Sequence, residues 1–270
     1  MVVSSPIFTG IVGFPTEPSG YAGQYVDAFQ RGNFWYDVLN YNQNYHLNLQ
    51  NPPTFVQEQS LGFANLTDGA AANDNQGLYG QCIGVVDIYS FPSRIPPLIN
   101  SLYQQQLISP TGLVMFVMYD VFLGTYAPVV GWQAQGAGEH YSTLTQDGGA
   151  LFTWLYATYN DATSCPNSSP CRFADVDDFS HETAEWADDP FNSKAPCSDG
   201  NSILEVGDPV IGYQTAAYYS YPAANGYTYH LQDLVYLSYF GKDASKEYGQ
   251  QLTFQGTSYN PPLTYCSNGG

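Results

Sequence analysis

Apolar positions along the chain fall in short runs, of the lengths typical of strands and single helices. Residues 83–91 and 113–123 are rich in β-branched and aromatic side chains, so both are predicted strands. The longest apolar stretch, residues 112–130, contains Asp120 and Pro128. It therefore predicts a buried strand with its turn rather than a membrane span.

Two segments have apolar positions at helical spacing. Pro96 and Pro97 predict a helix over residues 98–107, because proline is favoured in the first helical turn. Residues 149–159 predict a second helix with one apolar stripe facing the core. The positions of that stripe are Leu151, Trp154, Leu155 and Tyr159.

Other segments carry weaker patterns. Residues 25–45 predict a helix followed by a short strand, and residues 227–240 fit a helix or a strand equally well. Residues 1–24 are rich in Gly and Pro and predict a loosely structured lead-in. Turn formers occur throughout, without a long linker or an internal repeat. The chain is therefore predicted to form a single α+β domain over residues 1–270.

A third helix, over residues 176–188, has the clearest boundary signals. Asp175, Asp177 and Asp178 crowd its start, where carboxylates complement the helix dipole and cap free amides. Pro190 ends it, because proline disfavours helix at the residue before it. The predicted length is about thirteen residues.

Charge excludes some partners. The 270 residues include 24 Asp and Glu but only 6 Lys and Arg, a net charge of -18, which repels nucleic acid and anionic membrane surfaces. Only 11% of the residues are charged, so uncharged polar side chains must wet most of the surface. A surface of this kind fits a protein that works outside cells.

Cysteine usage also favours an extracellular protein, because five cysteines exceed what a reduced cytosol requires. Cys165 and Cys171 flank a turn-rich loop and predict a local disulfide. Cys197 with Cys266 is the next pairing, with Cys82 left buried. Glycosylation-type triplets begin at Asn65 and Asn167. Residues 1–21 show no secretory signal, so either a signal was removed or the protein is not secreted.

The candidate chemistry lies on the third helix, in His181-Glu182-Thr183-Ala184-Glu185. On a helix, His181 and Glu185 point the same way and can bind one cation, while Glu182 can take a proton from water. This is the HExxH pattern of zinc hydrolases with glutamate in place of the second histidine. Glu205, about twenty residues beyond Glu185, is the predicted third ligand. Asp208 is predicted to orient His181 through its other ring nitrogen.

Alternatives remain at each of these positions. Asp189 continues the row of His181 and Glu185 and is a rival third ligand, or else it stabilises the turn before Pro190. His230 is the candidate for stabilising an oxyanion. The simpler interpretation of the motif is a solvent-facing acidic helix in which His181 caps or pairs with a neighbour. The chain has no Gly-x-Ser-x-Gly elbow, phosphate loop or aspartic-protease turn.

The motif His181-Glu182-x-x-Glu185, with Asp189-Pro190 and Glu205-Val206-Gly207-Asp208, resembles the EXORDIUM-like (phosphate-induced) extracellular proteins and their microbial relatives. The likeness covers about residues 80–240 and includes the segments 157–160 and 226–233. His140 falls where that family has a Cys-Gly-x-His turn, although the cysteine of the turn is replaced by Ala137. The resemblance implies a cell-wall or extracellular location and a zincin-like core, a mixed sheet packed on the 176–188 helix.

The sequence thus predicts a secreted zinc-dependent peptidase in which Glu182 is the general base and His230 a second catalytic residue. Its partner would be a peptide or protein substrate. The alternative is a non-catalytic extracellular binding protein with a structural Zn or Ca ion and exposed tyrosines that contact cell-wall glycans. A structural subunit of the cell surface is a third possibility.

Overall fold

The structure, a computed structural model, describes residues 2–13, 21–58, 69–73, 82–160, 175–192, 204–210, 218–240, 249 and 252–256. Helices and mixed sheets both occur, which confirms the α+β class. The helices are α1 (Pro6–Thr9), α2 (Tyr25–Asn33), α3 (Trp35–Asn40), α4 (Ile95–Gln104) and α5 (Asp177–Asp188). The strands are β1 (Val12–Gly13), β2 (Ala22–Gly23), β3 (Gly69–Asn73), β4 (Cys82–Asp87), β5 (Val114–Tyr119), β6 (Val121–Ala127), β7 (Gly131–Gly136), β8 (Gly138–Leu144), β9 (Leu151–Tyr159), β10 (Tyr218–Pro222) and β11 (Thr228–Gln232).

Spatial contacts between residues divide the chain into two compact units. The first unit combines residues 1–53 with residues 180–270, and the second consists of residues 54–179. The single-domain expectation stays a prediction. The candidate residues on α5 and in the segment 204–210 belong to the first unit.

The second unit contains two mixed sheets. One has the order β3-β4-β6-β7, in which only the β4–β6 pair is parallel. The other has the order β5-β9-β8, with β5 and β9 parallel. Both sheets and α4 contribute side chains to one apolar core. Its buried members are Val86, Phe91, Ile95, Ile99, Leu123, Ala150, Phe152, Trp154 and Tyr156.

The predicted strands occur, with one difference. Residues 83–91 contain most of β4, and residues 113–123 form two strands, β5 and β6, in different sheets. The break is at Asp120, whose φ of 50° lies in the left-handed region, outside the strand conformation. Its amide donates to Tyr159 and its carbonyl accepts from Gly84, so this one residue is hydrogen-bonded to strands of both sheets.

Of the two helices predicted from apolar spacing, one is confirmed. Helix α4 begins at Ile95, slightly earlier than the predicted segment 98–107, with its prolines in the first turn. The helix predicted over residues 149–159 is wrong, because this segment is the central strand β9. Its side chains are buried on both faces, so the apolar residues at helical spacing are part of a nearly continuous buried run. Aromatic residues favour the strand conformation.

In the first unit, α2 packs by its aromatic side chains. The Phe29 ring stacks on Tyr236 and meets Phe254 edge-on, and Tyr25 also meets Phe254 edge-on. The short strand predicted after the first helix is absent: α3 follows α2, and residues 41–58 contain no strand. The predicted loose lead-in is more ordered than expected, since residues 2–13 form α1 and β1 with buried side chains at Ile7, Phe8 and Val12.

Several sequence expectations fall outside the described residues. These are the disulfides of Cys165, Cys171, Cys197 and Cys266, and the glycosylation triplets at Asn65 and Asn167. For Cys82 the structure describes only the backbone, in β4. Within the described ranges, no helix is long and apolar enough to cross a membrane.

Candidate metal centre on helix α5

Helix α5 brings the predicted motif residues to one place. It runs from Asp177 to Asp188, as the boundary signals predict, with acidic residues in its first turn. His181 and Glu185 are one turn apart and therefore lie on the same face. His181, Glu182 and Glu185 are all buried, with 5%, 4% and 3% of their surfaces exposed. The solvent-facing acidic helix is thus not the arrangement observed.

Three carboxylates surround one nitrogen of His181. Its Nε2 atom lies 3.0 Å from Oε2 of Glu185, 3.6 Å from Oδ1 of Asp208 and 4.0 Å from Oε1 of Glu182. Ligand atoms of His181, Glu182 and Glu185 all lie within 4.8 Å of one another. One imidazole and two buried acids therefore converge on a common point, with Asp208 at its exposed side.

The segment 204–210 places its residues against Glu185. The amides of Gly207 and Asp208 donate to Oε1 of Glu185 at 2.9 and 3.3 Å. These bonds fix one oxygen of the carboxylate, and its other oxygen faces His181. Glu205 is buried, and one of its carboxylate oxygens lies within 4.8 Å of a carboxylate oxygen of Glu185. Glu205 thus lies beside Glu185 but is not among the residues whose ligand atoms group with that of His181.

The other nitrogen of His181 has a partner that the sequence analysis missed. Nδ1 lies 2.7 Å from Oε1 of Gln232, at the end of β11. The role predicted for Asp208, orienting the ring from that side, therefore belongs to Gln232, since Asp208 lies beside Nε2. A lone glutamine fifty residues away gives no motif. The one sequence signal that includes Gln232 is the segment 226–233, which resembles the EXORDIUM-like proteins.

Two further candidates are neighbours in the chain of residues of this site: Asp189 follows α5, and His230 precedes Gln232 on β11. Oδ1 of Asp189 accepts from the amide of Phe191 at 3.4 Å, the local turn contact that was the alternative to metal binding. His230 is half-buried on β11, two residues before Gln232. Because strand side chains alternate, His230 and Gln232 lie on the same face of the strand. His46 has a structural role, since its Nδ1 bonds to the buried carboxylate of Asp27 at 2.8 Å.

Burial and charge oppose each other at His181. Burial lowers the pKa of the imidazole, but the carboxylates of Glu185, Glu182 and Asp208 raise it, and the net pKa lies well above the ordinary value. At the end of the helix, burial raises the pKa of Asp188 to about 7, although hydrogen bonds from Gln30 and Asn33 oppose the shift. The site therefore holds excess negative charge that attracts a cation, either a proton or a metal ion.

The donor set fits a divalent metal ion. Imidazole nitrogen and carboxylate oxygen both bind zinc, and ligands held about 2 Å from a tetrahedral ion lie about 3.3 Å apart. The distances of 3.0 to 4.0 Å around Nε2 bracket that spacing. His181 and Glu185 are the pair best placed to share an ion, with Glu205 or Asp208 as the third ligand.

The chain matches no known family model, no curated protein and no solved structure. The likeness to EXORDIUM-like proteins therefore rests on the motifs alone, and the zincin-like core remains a prediction. Function has to be inferred from the chemistry of the site around His181.

Proposed function

We propose that the protein is an extracellular metal-dependent peptidase with a zincin-like site on α5. The observation that carries the proposal is the position of His181. Its Nε2 faces the carboxylate of Glu185 at 3.0 Å, while its opposite nitrogen is held by Gln232. Zinc bound by His181 and Glu185, with Glu205 or Asp208 as the third ligand, would act as a Lewis acid, polarising a carbonyl and making water more acidic.

The residues of the chain have separate tasks in this proposal. Glu182 is next to His181 on the helix and close to the same point, so it accepts the proton of the attacking water and returns it to the leaving amine. The amides of Gly207 and Asp208 hold the Glu185 carboxylate in its orientation. His230, on the strand face of Gln232, donates to the developing oxyanion.

Glu182→Gln separates catalysis from metal binding. Zinc content is measured by elemental analysis, and hydrolysis is followed with a mixed library of unstructured peptides. We expect about one zinc per chain in both proteins and a loss of at least about 100-fold in hydrolysis for the variant, the usual effect of removing a general base. Glu58→Gln, the same change at an exposed glutamate, should leave both quantities unchanged. Hydrolysis by Glu182→Gln at the wild-type rate would exclude the assigned role.

The alternative is a non-catalytic binding protein with a structural ion in the same cluster. The excess of oxygen donors around His181 favours it, because calcium prefers carboxylates and carbonyls. Retention of calcium in preference to zinc, with no hydrolysis of any peptide by the loaded protein, would support this second function. Contact with glycans or assembly with other cell-wall components would then be the activity to test.

A further inference from the structure

Gln232 is fixed in place by contacts on several sides. It is 1% exposed, its amide donates to Oγ of Ser180 at 2.9 Å, and its carbonyl accepts from the hydroxyl of Tyr25 at 2.5 Å. These bonds tie the backbone of Gln232 to α2 and to α5. The side chain therefore leaves β11 from a backbone position that has little freedom to shift.

The orientation of the Gln232 amide follows from its second partner. Its Nε2 lies 2.6 Å from the carbonyl oxygen of Gly207, which can only accept a hydrogen bond. The nitrogen must face Gly207, so the oxygen faces Nδ1 of His181 at 2.7 Å. An amide oxygen also only accepts, and Nδ1 must therefore carry the hydrogen.

Gly207 has a further effect on the imidazole. A Cβ atom at this position would lie 2.5 Å from Nδ1 of His181 and 2.7 Å from Cε1, distances that side chains do not adopt. Only glycine lets the ring pack against the backbone here. Through its amide, its carbonyl and its missing side chain, Gly207 thus positions Glu185, Gln232 and His181 together.

We propose that Gln232, aligned by Gly207, is a positioning residue that holds His181 with its hydrogen on Nδ1 and directs Nε2 to the carboxylates. The consequence for metal binding rests on the proposed function. In either function, Nε2 is the nitrogen that binds a cation. Substitution of a residue that holds the opposite nitrogen of a metal-binding histidine typically weakens metal affinity by about 10- to 100-fold.

The first test uses the metal-free wild type. Long-range proton–nitrogen correlation spectra of the nitrogen-15-labelled histidines, with His181 assigned from the His181→Ala spectrum, identify the protonated ring nitrogens. Because the nearby carboxylates raise the pKa of His181, the spectra are recorded at a pH above that pKa, where the ring is neutral. We expect the neutral ring to carry its hydrogen on Nδ1 and not on Nε2. An unprotonated Nδ1 in the wild type would overturn the proposal.

The second test measures zinc affinity by chelator competition. Gln232→Leu should bind zinc about 10- to 100-fold more weakly. In this variant, the neutral His181 ring should populate both tautomers, with the hydrogen on Nδ1 or on Nε2. Gln30→Leu is the matched control, because Gln30 is equally buried but bonds Asp188 instead. Gly207→Ala should reproduce the effect of Gln232→Leu, and visible spectra of the cobalt-loaded proteins should show altered ligand geometry in both. Equal zinc affinities for Gln232→Leu and Gln30→Leu would overturn the proposal.

The two proposals fail in different ways. A wild type that binds no zinc and cleaves no peptide, yet keeps Nδ1 protonated only while Gln232 is present, removes the peptidase but supports the positioning role. A zinc-binding peptidase in which His181 is indifferent to Gln232 removes the positioning role and leaves the function intact.

Discussion

Two buried regions, one in each unit, consist of different kinds of side chain. The core of the second unit is apolar and aromatic, with the Phe91 ring edge-on to Tyr156 at 5.0 Å and Tyr141 tilted against Trp154 at 5.3 Å. Around α5 in the first unit, the buried side chains include His181, Glu182 and Glu185. Both regions exclude water, but only the apolar region gains free energy simply by doing so.

The difference follows from the free energy of transfer. Burying apolar surface stabilises a protein by about 25 cal/mol per Å² without requiring a particular partner. A buried carboxylate loses hydration and needs charge or hydrogen bonds in return. A fold that buries three ionisable groups together gains little stability from them, so such a cluster is a functional candidate. The aromatic core needs no explanation beyond packing.

The largest expected effect is on the apolar side of the comparison. Trp154→Ala should lower the free energy of unfolding by about 3–5 kcal/mol, because it removes a fully buried ring at the centre of the sheet. Trp132→Ala, the same change at a half-buried position on β7, should cost clearly less. Urea denaturation measures both, and equal losses would mean that burial does not set the cost.

A smaller effect is expected on the polar side, with the metal removed by chelator. His181→Leu should destabilise the protein by about 3 kcal/mol, because it leaves buried acids without the imidazole. His181→Leu with Glu185→Leu should be less destabilised than the single variant, since the strongest uncompensated charge is gone. A double variant that loses as much as the two single changes added together would show that His181 and Glu185 are not energetically coupled.

The smallest effect concerns pH. Burial raises the pKa of Asp188 to about 7, so between the unfolded value near 4 and about 7 the folded state binds more protons. Stability contributed by the protonated carboxyl is present at acid pH and is lost as the pH rises through 7. Asp188→Asn should flatten this dependence by about 1 kcal/mol over the single unit between pH 6 and 7. Parallel thermal unfolding curves of wild type and variant across that range would contradict the shift.

Local signals were sufficient where they agreed with one another. The start and end of α5 could be predicted from its acidic first turn and from Pro190, and β4 and α4 from residue type and proline position. They failed at β9, where apolar spacing suggested a helix. In a strand that is buried on both faces, apolar and polar residues do not alternate. The spacing of its apolar residues therefore does not distinguish it from a helix.

The sequence by itself determined that His181 and Glu185 share a helix face, because helical geometry places residues four apart on one side. The partners of that face were decided by tertiary structure. Gln232 on a strand, Gly207 with its missing side chain, and the choice between Glu205 and Asp208 beside Glu185 all depend on contacts between distant segments. No local preference encodes such contacts, since they form only when those segments pack together.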